Sequence, residues 1–137
     1  MKPETIHLCI LSHPANLKDV RRVMIDITAK VGMSKEEAGS IILAVDEACS
    51  NIIEHSYKND YTQKIDLTIK LETQFLTIAI IDEGIRFDIN SIETRDINEI
   101  RPGGLGIYII KQVMDTVEYS RTPEGKNIIK MIKKLTT

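Results

Sequence analysis

Three short stretches of the chain carry residues whose types and spacing could do chemistry. In EACSNIIEH, residues 47–55, Glu47, Asn51 and His55 recur every four residues. On a helix that spacing stacks a carboxylate, a carboxamide and an imidazole along one line. In IIDEGIRFD an apolar strand ends in Asp82 and turns at Gly84. An ionised carboxylate there is acceptor-only and can receive the exocyclic amine of a purine, while Gly84 admits the base close to the backbone. Adenine offers that donor; guanine does not at the equivalent ring position. In RPGGLGIYIIK, Gly103, Gly104 and Gly106 open a helical pattern. Unhindered N–H groups at a helix N-terminus can cradle phosphate oxygens, with Arg101 as an added charged donor. Each stretch also has a plainer reading: a solvent-facing stripe, Asp-Gly turn chemistry, or a tight glycine turn. The glycines match neither a Walker loop nor a dinucleotide fingerprint.

The elements that must position these residues follow from periodicity. Alternation in TIHLCIL predicts a strand over 5–11, and Leu17, Val20, Val23, Met24, Ile27 and Val31 recur at helical spacing, with Gly32 as the cap. Ser34 followed by Glu37 is a capping-box pattern opening a second helix that runs to about Ser56. Its apolar arc comprises Ile41, Ile42, Val45, Ala48, Cys49, Ile52 and Ile53, which puts Glu47, Asn51 and His55 along the rim of that arc. KIDLTIKLE and FLTIAIID read as two strands joined by a hairpin at Thr73-Gln74. A polar stretch, the glycine-led helix and two closing strands in TVEYS and NIIKMIKKL complete the order. Grouped helices and hairpin-linked strands predict a two-layer α+β sandwich rather than a doubly wound parallel sheet.

Composition narrows the function classes. A chain of 137 residues with a formal charge of -2 reads as one domain, spanning 1–137, without the basic excess that nucleic-acid binding needs. The start lacks a secretory pattern, and no apolar run approaches the roughly 20 residues of a membrane span, so a cytoplasmic protein is expected. Cys9 and Cys49 lack metal-site spacing and read as reduced core thiols.

In order and spacing, Glu47-x-x-x-Asn51, Asp82-x-Gly84 and Gly104-x-Gly106 resemble the nucleotide boxes of the GHKL ATP-binding superfamily. AVDEACSNIIEHSY, IIDEGIRFD and RPGGLGIYIIKQVMD resemble most the stand-alone anti-sigma factor serine/threonine kinases. The resemblance implies a Bergerat-type sandwich, a mixed and mostly antiparallel sheet with helices on one face, binding ATP and Mg²⁺. It implies Glu47 as catalytic base, Asn51 as magnesium ligand, and Asp82 as the adenine-reading acid with Gly84 as its close-approach glycine. Gly104, Leu105 and Gly106 would lie around the phosphates, with Arg101 as a phosphate contact and residues 89–102 as a lid. Many relatives place a Gly-Thr-Thr-like turn before the last strand; here EGKNIIKM puts Asn127 there, its amide in place of the hydroxyl. His55 reads as structural support. The implied activity is partner switching: a homodimer that sequesters a sigma factor and phosphorylates a serine or threonine of an antagonist protein. An ATP-binding sequestering module without transfer, and a simple ATPase, are the alternatives.

Overall fold

A computed structural model describes residues 2–86 and 102–135, with the backbone alone for 102–107. The elements are β1 (Glu4–Leu11), α1 (Leu17–Lys30), α2 (Lys35–Asn51), β2 (Lys64–Leu71), β3 (Phe75–Asp82), α3 (Pro102–Val113), β4 (Thr116–Arg121) and β5 (Asn127–Lys134). The predicted α+β order is the observed one.

Helix boundaries follow the caps expected of them. Ser34 Oγ accepts the Glu37 N–H at 3.1 Å and starts α2. Gly32, at φ +70°, ends α1, with Met33 N–H donating to Thr28 O and Gly32 N–H to Ala29 O. That pair of bonds is the Schellman closure, and the left-handed residue inside it favours glycine.

The strands form one five-stranded sheet in the order β1-β2-β3-β5-β4. Every pairing among the described strands is antiparallel, which corrects the mixed sheet that the resemblance implied. The reason lies in the connection through α3. The chain leaves β3, crosses, and lays down β4 one position away from it; β5 then returns through the gap and pairs with both. β3 and β4 run in the same direction but never touch as a ladder.

Alternation assigns the faces. Ile65, Leu67, Ile69 and Leu71 of β2 and Leu76, Ile78 and Ile80 of β3 point into the core, where they meet Val20, Met24 and Ile27 of α1, Ile41, Val45 and Ala48 of α2, and Ile110 of α3. Each such side chain contributes about 1.5–3 kcal/mol by leaving water. Ala44 joins this core although the wheel left it out, and Ile42 is only half-buried. Of the two free thiols, Cys49 is buried as expected, whereas Cys9 is exposed. The cause is parity: Cys9 alternates with core-facing Leu8 and Ile10 and sits opposite Asp66 on the outer face. No described helix is long and apolar enough to cross a membrane.

Candidate nucleotide-binding site

The site is built from the last turns of α2. Glu47 is half-buried and Asn51, one turn on, is only 4% exposed. Burial holds the Glu47 carboxyl above the ordinary carboxylate range, and the negative charges of Asp46 and Glu54 add to that shift. Arg21 of α1 pairs with Asp46 at 2.7 Å across the helix surface.

Beyond Asn51 the helix widens. Residues Ile52–Ser56 form a π-helical turn, in which Tyr57 N–H reaches back to Ile52 O at 2.9 Å. The even helix expected through Ser56 therefore stops at Asn51, and His55 lies within the wider turn rather than on the regular α-helical stripe of Glu47 and Asn51. His55 is half-buried, with Nε2 4.0 Å from a Glu54 carboxylate oxygen.

Asp82 occupies the last core-facing position of β3, in the same parity as Leu76, Ile78 and Ile80, and is 3% exposed. An ionisable group has replaced a core aliphatic at the strand end. Burial pushes its pKa up, against the opposing effect of hydrogen bonds from Asn127 and Gly84, of the nearby Ser56 hydroxyl and of the Arg121 charge. Gly84 N–H and Asn127 Nδ2 both donate to Oδ1 at 2.9 Å, leaving Oδ2 without a well-formed bond among the described residues. Ser56 Oγ, buried and lacking a well-formed bond of its own, lies toward the same carboxylate.

Gly84 has a role that sequence did not show. A Cβ there would stand 2.4 Å from Ser56 O and 2.6 Å from Ser56 C. The close approach that demands glycine is thus to the π turn of the protein itself, where the expectation was an approach by the base. Ile85 N–H donates to Ser56 O, and Glu83 N–H to the Tyr57 hydroxyl, which in turn donates to Lys64 O. Ser56 and Tyr57 therefore fasten the Asp82 turn to the end of α2, and neither was singled out from the sequence. The one available signal was Tyr57 itself, since a buried tyrosine hydroxyl requires partners. Gly84→Ala is expected to lower stability by about 1–3 kcal/mol through this clash. A fall in the urea midpoint at constant m-value measures it, and an unchanged midpoint contradicts the packing.

Gly103, Gly104, Leu105 and Gly106 fall in the opening turns of α3, which packs against α2. Their backbone belongs to a helix N-terminus, as the glycine pattern predicts. Arg101 and the lid segment lie outside the described residues, except that Pro102 begins α3.

The model of the histidine kinase-like ATPase domain matches residues 10–133. The chain belongs to this ATPase family. A serine-protein kinase RsbW of Bacillus cereus is 29% identical over 134 residues, covering 92% of this chain and 82% of the relative. An RsbW of Bacillus licheniformis is 29% identical over 106 residues, covering 72% of this chain and 66% of the relative. Among solved structures, the RsbU and RsbW domains of a Mycobacterium tuberculosis protein superpose with a TM-score of 0.70 at 15% identity. They match 98% of this chain, which spans 33% of that longer one. The SiaB–SiaC complex of Pseudomonas aeruginosa gives a TM-score of 0.71 at 10% identity, over 93% of this chain and 88% of that one. These two likenesses concern the fold.

As a member of the histidine kinase-like ATPase family the domain must accommodate a nucleotide, and its donor set suits one. Asp82 offers a buried acceptor, α3 offers N-terminal amides, and Asn51 offers a hard carboxamide oxygen. Among the described residues no group of three or more His, Cys, Asp or Glu could hold a metal ion. A single protein oxygen completed by phosphate and water oxygens is the arrangement Mg²⁺ tolerates.

Proposed function

We propose that this ATPase domain is an anti-sigma factor serine/threonine protein kinase, which sequesters a sigma factor and phosphorylates an antagonist protein on serine or threonine. The observation that carries the reading is convergence: the end of α2 with Glu47 and Asn51, the buried Asp82 at the end of β3, and the glycine-led start of α3 belong to elements packed on one another. Similarity to serine-protein kinases over 92% of the chain supports transfer to protein.

Bound Mg-ATP would supply the phosphoryl group and the neutralising charge. Asp82 would accept the adenine amine, and the α3 amides with Arg101 would hold phosphate oxygens. Asn51 would direct its carboxamide oxygen to the metal. Glu47 would take the proton of the attacking hydroxyl as its oxygen bonds to the γ-phosphorus and the bond to the ADP oxygen breaks. A base whose proton affinity is raised by burial suits that task at neutral pH. We place the protein in the cytoplasm as a homodimer.

The test is incubation of the chain with Mg-ATP and candidate antagonist proteins encoded nearby, with sigma-factor capture measured in parallel. Phosphate is expected on a partner serine or threonine. Tight ATP binding without transfer to any such partner would overturn the kinase reading in favour of a sequestering module, and release of phosphate to water alone would make the chain a hydrolase.

A further inference from the structure

We infer that Asn127 is a positioning residue for adenine recognition: its carboxamide, together with the Gly84 N–H, holds Asp82 by Oδ1, so that Oδ2 is the oxygen presented to the ligand, and its NH₂ group donates nothing to the base. The inference rests on the nucleotide-binding reading of the site and departs from the sequence expectation that the Asn127 amide stands in for a base-contacting hydroxyl.

The geometry assigns every donor of that amide. Nδ2 faces Asp82 Oδ1 at 2.9 Å, Gly84 O at 3.1 Å and Ile85 O at 3.3 Å. A carboxamide has two N–H bonds, and three acceptors already surround them. All three neighbours being acceptors also fixes which end of the amide points inward. No donor is left over for a ligand.

The clamp is set by the sheet. Asn127 is the direct ladder partner of Asp82 between β5 and β3, and Arg121 is its partner on β4. Arg121 Nη2 donates to Gly125 O at 2.7 Å, and Thr122 and Lys126 bond across the same turn, so the chain entering β5 is itself held. On the far side Ser56 and Tyr57 secure the backbone of residues 83 and 85. Among the described residues, only Asn127 combines a bond to the carboxylate with bonds to the carbonyls that follow it, and a single hydroxyl could not make all of them. Occupying Oδ1 stops the carboxylate from rotating freely and leaves one oxygen, at one angle, for the amine of a purine.

Two nucleotides separate this role from plain structural support: ATP, and purine riboside triphosphate, which lacks the 6-amino group. The wild-type chain is expected to prefer ATP. Asn127→Ala should weaken ATP binding by about tenfold, the worth of a well-aligned bond to a charged acceptor, while binding of the analogue changes by less than about twofold. The preference therefore collapses. Asn127→Ser, which keeps one donor, should fall between, and it supplies the reading if the alanine variant does not fold. Proportionate loss of both nucleotides, or loss of neither, with wild-type preference intact, overturns the inference alone. A wild-type chain that binds neither nucleotide overturns the proposed function and the inference with it.

Discussion

Glu47→Gln is expected to lower phosphoryl transfer to the antagonist by about 10²–10⁴-fold, the usual contribution of a general base. ATP affinity should stay within about threefold, since the carboxylate is assigned to the attacking hydroxyl and not to the nucleotide. The substitution preserves shape and removes only the proton acceptor. Burial and the neighbouring charges of Asp46 and Glu54 hold the wild-type carboxyl above its ordinary range, so the acidic limb of the rate profile should lie above that range as well. Removing a charge that the fold disfavours should leave the variant no less stable. Single-turnover transfer with isothermal titration of ATP separates the two quantities. A variant that transfers phosphate within about threefold of wild type would remove Glu47 from the chemistry.

The second large effect concerns Asp82→Asn, for which ATP affinity should fall by about 100-fold. The side-chain oxygen of asparagine can still accept from Gly84 and Asn127, so the turn is kept. Where Oδ2 was, an NH₂ group now meets an exocyclic amine that also donates, and the pair cannot bond. Stability should move the other way. The folded-state pKa of Asp82 is raised, so the fold binds its proton more tightly than the unfolded chain does. The cost of the buried charge is present in full above the folded pKa, shrinks as pH falls through it, and is gone below the unfolded value of about 3.9. Ligand-free Asp82→Asn should therefore be more stable than wild type at neutral pH, with the gap closing on acidification. Urea midpoints across pH test the sign. Unchanged ATP affinity would remove Asp82 from adenine recognition.

Much of the architecture was legible because it is written in local periods. The alternation of Leu76, Ile78 and Ile80 extends to Asp82, so parity alone assigns that carboxylate to the core face. The capping pattern at Ser34 and the left-handed glycine at 32 are likewise local and were found where expected. What escaped the sequence depends on partners distant in the chain. Gly84 looks like a turn glycine until Ser56 is seen against it. Asn127 looks like a replacement hydroxyl until the register sets it opposite Asp82. The widening at Ile52–Ser56 leaves no mark either, since its apolar residues fit an ordinary helix equally well and only the hydrogen bonds differ.

The insertion of β5 between β3 and β4 also sets an order of assembly. Asp82 and the residue that clamps it are 45 positions apart, and synthesis delivers the N-terminal part first. A nascent chain that has emerged as far as α3 already carries Glu47, Asn51, Asp82 and the glycines, yet β3 still has an open edge and the carboxylate has no clamp. On the proposed reading, the adenine subsite is completed only by the C-terminal hairpin, so that an unfinished chain on the ribosome holds the motifs of α2, β3 and α3 before the residue that positions Asp82.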